Sequence, residues 1–267
     1  MLGTIAAGLH SGRRALDIGR GDGLATLARK IPPFCYQQLH PSLPTSGHVE
    51  LNGVETAIEK RVLDDVVPRA LKQYVWCDDP RYEDLYVGCL RTHVDRGETV
   101  VAVGGGEGVS TVALARQVGR DGRVCTFEGG AAQVERCHET VAFNGVSDRV
   151  TVEHAIISTD YSLRSARADA GIVDPTELPV CDTLAIDADG AEIPILEGLH
   201  AVDPASRPGR LVVEHHAVLD DGTRVLEYQP ERVRDSIRSL GYDIVEERAD
   251  PERAYGRLEE RIVVAEQ

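Results

Sequence analysis

Lysine is almost absent from this chain of 267 residues: Lys30, Lys60 and Lys72 stand alone, and the rest of its 29 basic residues are arginines. Aromatic residues make up only 4%, and there is a single methionine and a single tryptophan. Against 44 acidic residues the formal net charge is −15. A chain so poor in positive charge lacks the basic stripe that neutralises a phosphate backbone, so no nucleic acid is expected as a partner. Two backgrounds give this balance: a salt-adapted proteome, or a GC-rich genome favouring Arg, Ala, Gly and Val codons. Under the first, the charge reports on the solvent and says little about substrate.

Long apolar runs are lacking as well. None approaches the ~20 residues of a membrane span, and residues 1–9 are mildly apolar without the basic start of a signal peptide. These absences point to a cytoplasmic chain with no membrane partner. The cysteines, Cys35, Cys77, Cys89, Cys125, Cys137 and Cys181, include no C-x-x-C pair, which points to reduced thiols.

Organisation changes along the chain. In residues 1–78, Pro32, Pro33, Pro41 and Pro44 interrupt any long element, and only 48–59 has a hairpin pattern, with Asn52-Gly53 at its turn. This part reads as an appendage, and residues 79–267 as the main domain. There a helix over 82–94 is followed by strands at 99–103, 124–128, 150–156, 183–187, 211–214, 242–247 and 261–265. Helices at 110–118, 131–144, 193–199 and 230–240 lie between them. Alternation of this kind with apolar strand interiors predicts an α/β fold, a Rossmann-like, mostly parallel sheet of seven strands covered by helices on both faces. The last two strands are separated by about a dozen charged residues, too few for a crossover helix, so the final strand is expected to run antiparallel.

The chemistry-bearing residues cluster at strand ends. The first strand, closing on Val103, runs into Gly104, Gly105, Gly106, Glu107 and Gly108, then Ser110 and a helix. Glycines let the backbone turn sharply beside a ligand, and the helix start offers free N–H groups. A dinucleotide fingerprint beginning at Gly104 needs glycine at position 109, where Val109 stands. Glu128 ends the second strand, where a carboxylate can accept from two ribose hydroxyls. Asp187, Asp189 and Glu192 follow the fourth strand: they could cap the next helix, touch a ligand or hold a divalent cation. Glu214, His215 and His216 close the fifth, and a histidine there has the pKa of a base near neutrality. A second glycine-rich stretch, residues 15–23, imitates such a loop but ends at Pro32-Pro33 with no acid-terminated strand after it.

The runs VVAVGGGEGVSTVALA, CTFEGG, VTVEHAIIS, DTLAIDADGAEIPILEGL and LVVEHH together resemble the FkbM-type family of class I S-adenosylmethionine-dependent methyltransferases over about residues 80–250. The fourth-strand segment is the most specific, with Asp187, Asp189, Gly190, Ala191, Glu192, Leu196 and Gly198 in the family's places. Three positions depart: Ala102 stands for an aspartate before the loop, Gly106 for an asparagine within it, and Gly129 for a proline after the ribose-binding acid. Glu107 or Ser110 is a candidate substitute for the lost polar contacts. The resemblance implies S-adenosyl-L-methionine as cofactor, held by Val103, residues 104–108, Ser110, Glu128, Gly129, Ala155, Ile156 and Asp187, and no metal. It implies O-methylation of a hydroxylated small molecule or carbohydrate, with Asp187 as first candidate base and His216 as second. Residues 1–78 and 159–179 are expected to shape the acceptor pocket. The rival readings are a binding protein that keeps the fold without catalysis and a nicotinamide-dependent oxidoreductase, the latter disfavoured by Val109.

Overall fold

The computed structural model describes residues 24–68, 71, 82–159, 170–188, 190–218, 230–255 and 258–267. Residues 15–23, Cys77 and Asp189, named above, lie outside that set, as do residues 160–169 of the expected acceptor segment. The chain divides into two compact units, Met1–Val49 with Glu59–Asp79, and Glu50–Ile58 with Pro80–Gln267. The stretch 1–78 is therefore split, because the tip of its hairpin belongs to the larger unit.

In the smaller unit, helix α1 (Leu24–Leu39) runs through Pro32 and Pro33, where a break was expected. Neither proline can donate to the carbonyl four residues back. Side-chain bonds secure the helix beyond them: the Tyr36 hydroxyl donates to Asp64 Oδ1 at 2.8 Å, and His40 Nε2 lies 2.9 Å from the same oxygen. The Arg61 N–H donates to Asp64 Oδ2 at 2.7 Å. Burial opposes the charge on Asp64, but these bonds outweigh it and hold the carboxyl below its ordinary pKa.

Strands β1 (Thr45–Leu51) and β2 (Val54–Arg61) form a two-stranded sheet. Asn52 and Gly53 turn between them with φ of 52° and 74°, the paired left-handed conformation these residue types adopt most cheaply. Within the larger unit the hairpin tip is bonded through its main chain. The Arg91 and Arg116 guanidinium groups donate to the carbonyls of Asn52 and Gly53, and the Asn144 amide donates to that of Glu55. The Ala57 N–H donates to Thr140 Oγ1 at 2.9 Å.

The larger unit continues with α2 (Asp84–His93), β3 (Thr99–Val103), α3 (Val109–Val118), β4 (Arg123–Glu128), α4 (Ala131–Phe143), β5 (Val150–Ile157), β6 (Gly171–Val173), β7 (Thr183–Ile186), α5 (Glu192–Gly198), β8 (Arg210–Val218), α6 (Pro230–Ser239), β9 (Asp243–Tyr255) and β10 (Leu258–Glu266). The sheet order is β6-β5-β4-β3-β7-β8-β10-β9. Every pairing from β6 to β8 is parallel, and β10 runs antiparallel to both its neighbours. The reversed last strand is as expected. The strand count is not: β6 adds an eighth, a three-residue edge strand too short to show a period in the sequence.

Central strands β3 and β7 are β-branched or apolar at nearly every position because helices cover both faces. One face carries Val101, Val103, Leu184, Ile186, Leu211, Val213 and Val263 against α5 and α6. On the other, α2 packs on α3, β8 and β10 and sinks Tyr86 and Leu90. Each such side chain contributes about 1.5–3 kcal/mol on burial. Cys35, Cys89, Cys125, Cys137 and Cys181 are free thiols. Among the described residues, no helix is long and apolar enough to cross a membrane.

Candidate functional site at the carboxyl edge of the sheet

The chain leaves β3 toward β4 on one side and returns to β7 on the other, so the sheet's topological switch point lies between β3 and β7. Open α/β sheets bind ligands in the crevice such a reversal leaves at the carboxyl ends of the strands. Strand order, direction and the single reversed strand β10 together decide the fold. It is that of class I methyltransferases.

The glycine loop stands at this point. The Gly104 N–H donates to the Phe127 carbonyl at 2.9 Å, and the Asp187 N–H donates to that of Val103 at 2.8 Å, tying β3 to both neighbours at the edge. Gly104 has φ 94°, and a Cβ there would lie 1.7 Å from the Asp187 carbonyl oxygen, so no other residue fits without backbone movement. Glu128 Oε2 accepts from the N–H groups of Gly105 (3.1 Å) and Gly106 (2.9 Å), and its Oε1 from that of Gly130 (2.6 Å). The acid expected to meet a ribose thus also pins the loop.

The structure brings together Val103, residues 104–108, Ser110, Glu128, Gly129 and Asp187. Glu107 is engaged by Arg136, whose Nε donates to it at 2.6 Å. On β5, His154 is the register partner of Glu128. Strand alternation puts Ile156 on the Glu128 side of the sheet, whereas Ala155 faces the apolar core. Glu192, the first residue of α5, accepts the Gly190 N–H with both oxygens at 3.0 Å, which closes the turn before the helix; the N-cap position is Ala191, with no side-chain cap. His216 lies in β8 opposite Glu260 in register. No cluster of three histidines, cysteines or acids among the described residues is placed to hold a metal ion.

Four residues beyond the predicted cofactor and base positions gather around Asp187. The Glu214 carboxyl is hydrogen-bonded to that of Asp187; burial, and then the Asp187 charge, raise its pKa well above the ordinary carboxyl value. Tyr86, Glu83 and Glu260 stand on the same side and bear on it electrostatically. Two acids sharing one hydrogen bond cannot both be ionised without severe repulsion, so the pair keeps one proton between them, and burial favours it on Glu214. Glu214 could have been suspected from its place at a strand end. Nothing in the sequence marks Glu83 or Glu260, because only the packing of α2 and β10 brings them here.

No protein-family model and no curated protein matches the chain. Solved structures do. A SAM-dependent methyltransferase from Aquifex aeolicus is similar at 16% identity and a TM-score of 0.47, over 70% of this chain and 94% of the other. A putative tRNA (m1A22) methyltransferase from Streptococcus pneumoniae is similar at 16% and 0.44, over 67% and 68%. A putative rRNA-methylase from Clostridium thermocellum gives 13% and 0.43, over 69% and 96%. With RNA-directed proteins among the similar structures, the expectation that nucleic acid is excluded as a partner is withdrawn. That expectation rested on net charge, which is a property of the whole surface and does not describe one edge of a sheet.

Proposed function

We propose that the larger unit is an S-adenosylmethionine-dependent methyltransferase of the FkbM type that methylates an acceptor hydroxyl. The observation that carries this reading is the junction of glycine loop and Glu128 at the switch point of a class I methyltransferase sheet. The residues fit the cofactor. Beyond Gly106 a Cβ would meet nothing within 4 Å, leaving room beside the loop, and Glu128 ends the neighbouring strand. A carboxylate has about four lone-pair positions; on Glu128 the loop uses two, both on Oε2, and Gly130 a third on Oε1. A ribose hydroxyl bound there shares an oxygen with these main-chain N–H groups.

When bound, the cofactor supplies an activated methyl group on a sulfonium. The chain's part is to hold the acceptor oxygen in line, which contributes up to about 7–11 kcal/mol, and to receive its proton. Asp187 suits the role of proton acceptor because the Glu214 carboxyl is hydrogen-bonded to it and orients it at the strand end. His216 is the second candidate. The resemblance favours a hydroxylated small molecule or sugar as acceptor.

The test is calorimetric titration of the protein with S-adenosylhomocysteine, then transfer of labelled methyl from S-adenosylmethionine to a panel of sugars, phenols and RNA. No binding and no transfer by a folded protein would refute the reading. Glu128→Ala should be run with its unfolding midpoint measured: lost binding at an unchanged midpoint assigns Glu128 to the ligand, whereas a joint fall assigns it to the loop.

A further inference from the structure

Glu83 occupies a place that helix capping does not explain. It is a non-glycine residue with φ 56°, a left-handed conformation that side chains adopt only where their surroundings impose it. An imposing contact is visible: the Asn52 amide donates to the Tyr82 carbonyl, just before α2, whose first bond runs from the Val87 N–H to the Glu83 carbonyl at 2.8 Å. The conformation sends the carboxyl inward beside the glycine loop. There it accepts from the Tyr82 hydroxyl and from the N–H of Ser110, in the first turn of α3. Part of the residue reaches the surface, but Oε2 is sealed from solvent and has no hydrogen-bond partner. A carboxylate that merely capped α3 would place both oxygens on helix N–H groups or in water.

The surrounding charges are mostly of its own sign. The groups bearing most on Glu83 are Tyr82 on its own segment, Glu260 on β10, and Ser110 and Glu107 at the loop; Asp187 and Glu214 complete the acidic set, and Arg136 already engages Glu107. Strand β3 brings no acid of its own before the loop, where Ala102 stands.

We infer that Glu83 is a ligand-binding residue of this site, whose free carboxyl oxygen receives a cationic group of the bound cofactor, its ammonium or its sulfonium. The identity of the ligand rests on the methyltransferase reading; the need for a cation rests on Oε2 and its acidic neighbours. Without ligand, burial and those neighbours push the Glu83 pKa up to about 7, so the carboxyl is largely neutral in mild acid. A cation against Oε2 favours the ionised form, so binding releases a proton below about pH 7 and tightens as pH rises through that value.

Wild type and Glu83→Gln are titrated with S-adenosylmethionine, S-adenosylhomocysteine and 5′-methylthioadenosine at pH 6 and 8, each in two buffers of different ionisation heat. The first ligand carries sulfonium and ammonium, the second ammonium alone, the third neither. The variant should lose about tenfold or more on S-adenosylmethionine, as expected for a charge-assisted hydrogen bond, and nothing on methylthioadenosine. A loss shared by S-adenosylhomocysteine assigns Glu83 to the ammonium; a loss on S-adenosylmethionine alone assigns it to the sulfonium. Equal changes, or none, for all three ligands overturn the inference while leaving the methyltransferase reading in place. If the variant does not fold, absence of proton release on binding to wild type at pH 6 overturns it as well. A wild type that binds none of the three takes both readings down.

Discussion

Replacing Gly104 by alanine probes the closest approach between β3 and β7. An added Cβ would stand 1.7 Å from the Asp187 carbonyl oxygen, whereas real Cβ atoms essentially never come within 3.0 Å of another heavy atom, so one backbone must yield by about 1.3 Å. Two costs add. Holding an L-residue in the left-handed region costs about 1–2 kcal/mol, and forcing apart packed backbone costs about 1–3 kcal/mol more. The sum, about 2–5 kcal/mol, corresponds to a fall in unfolding midpoint of roughly 5–20 °C for a unit of this size. Gly106 provides the control: its φ is 47° and nothing lies within 4 Å of its would-be Cβ, so alanine there carries only the conformational cost. Urea unfolding of both variants, followed by circular dichroism, isolates the steric part. If Gly104→Ala and Gly106→Ala agree within about 0.5 kcal/mol, a generous error for such extrapolations, the tight contact at the loop is refuted.

Other expectations concern the acids of the site and the bonds of the smaller unit. Glu83 and Glu214 are held above the ordinary carboxyl value in the folded chain. Their contribution to stability is therefore full below the unfolded value and is lost as pH rises, for Glu83 through about 7. Glu83→Gln should flatten the decline in unfolding free energy between pH 4.5 and 7; an unchanged profile would contradict this. Asp64, Glu246 and Glu247 are held below their ordinary values, so what they contribute is present above those values and disappears as pH falls through the folded ones. Asp64→Asn should cost the smaller unit about 2–3 kcal/mol, the worth of charge-assisted bonds. Hydrogen exchange should read that as faster opening of residues 31–49 and 59–64 with S-adenosylhomocysteine binding intact. Thr140→Val leaves the Ala57 N–H without its acceptor and should destabilise the larger unit by about 1–3 kcal/mol; wild-type exchange at Ala57 would show that the bond is unimportant.

The main-domain elements were legible because each obeys a local rule. Strand β3 is a β-branched run ending at glycines, α4 has a helical period, and Asn52-Gly53 is the strongest short hairpin signal there is. Helix α1 was not legible: Pro32 and Pro33 argue locally for a break, and what secures the helix beyond them is Asp64, far along the chain. The same holds at the site. The glycine loop, Glu128 and Asp187 lie at strand ends, where pattern alone directs attention. Glu83 acquires its position from a turn imposed by Asn52, some thirty residues earlier, and Glu260 from the return of the last strand. Charge composition misled the reading of partners, because a whole-chain sum contains no information on where the charges stand.

Within the larger unit, four bonds of the hairpin tip use only what every amino acid has in common. Asn52, Gly53 and Glu55 offer carbonyls, and Ala57 its N–H, while the specific chemistry comes from Arg91, Arg116, Asn144 and Thr140. Under mutational drift the two sides of this seam face unequal selection: the exposed Glu55 can be rewritten with little effect on the contact, whereas Arg91, Arg116, Asn144 and Thr140 each supply the bonding group from the side chain; Ala57, which is buried, is held by its own packing. Saturation mutagenesis would meet this as a tolerant column at 55 beside intolerant ones at 91, 116, 140 and 144, a grammar in which the exposed strand position that offers only its carbonyl is the freer partner.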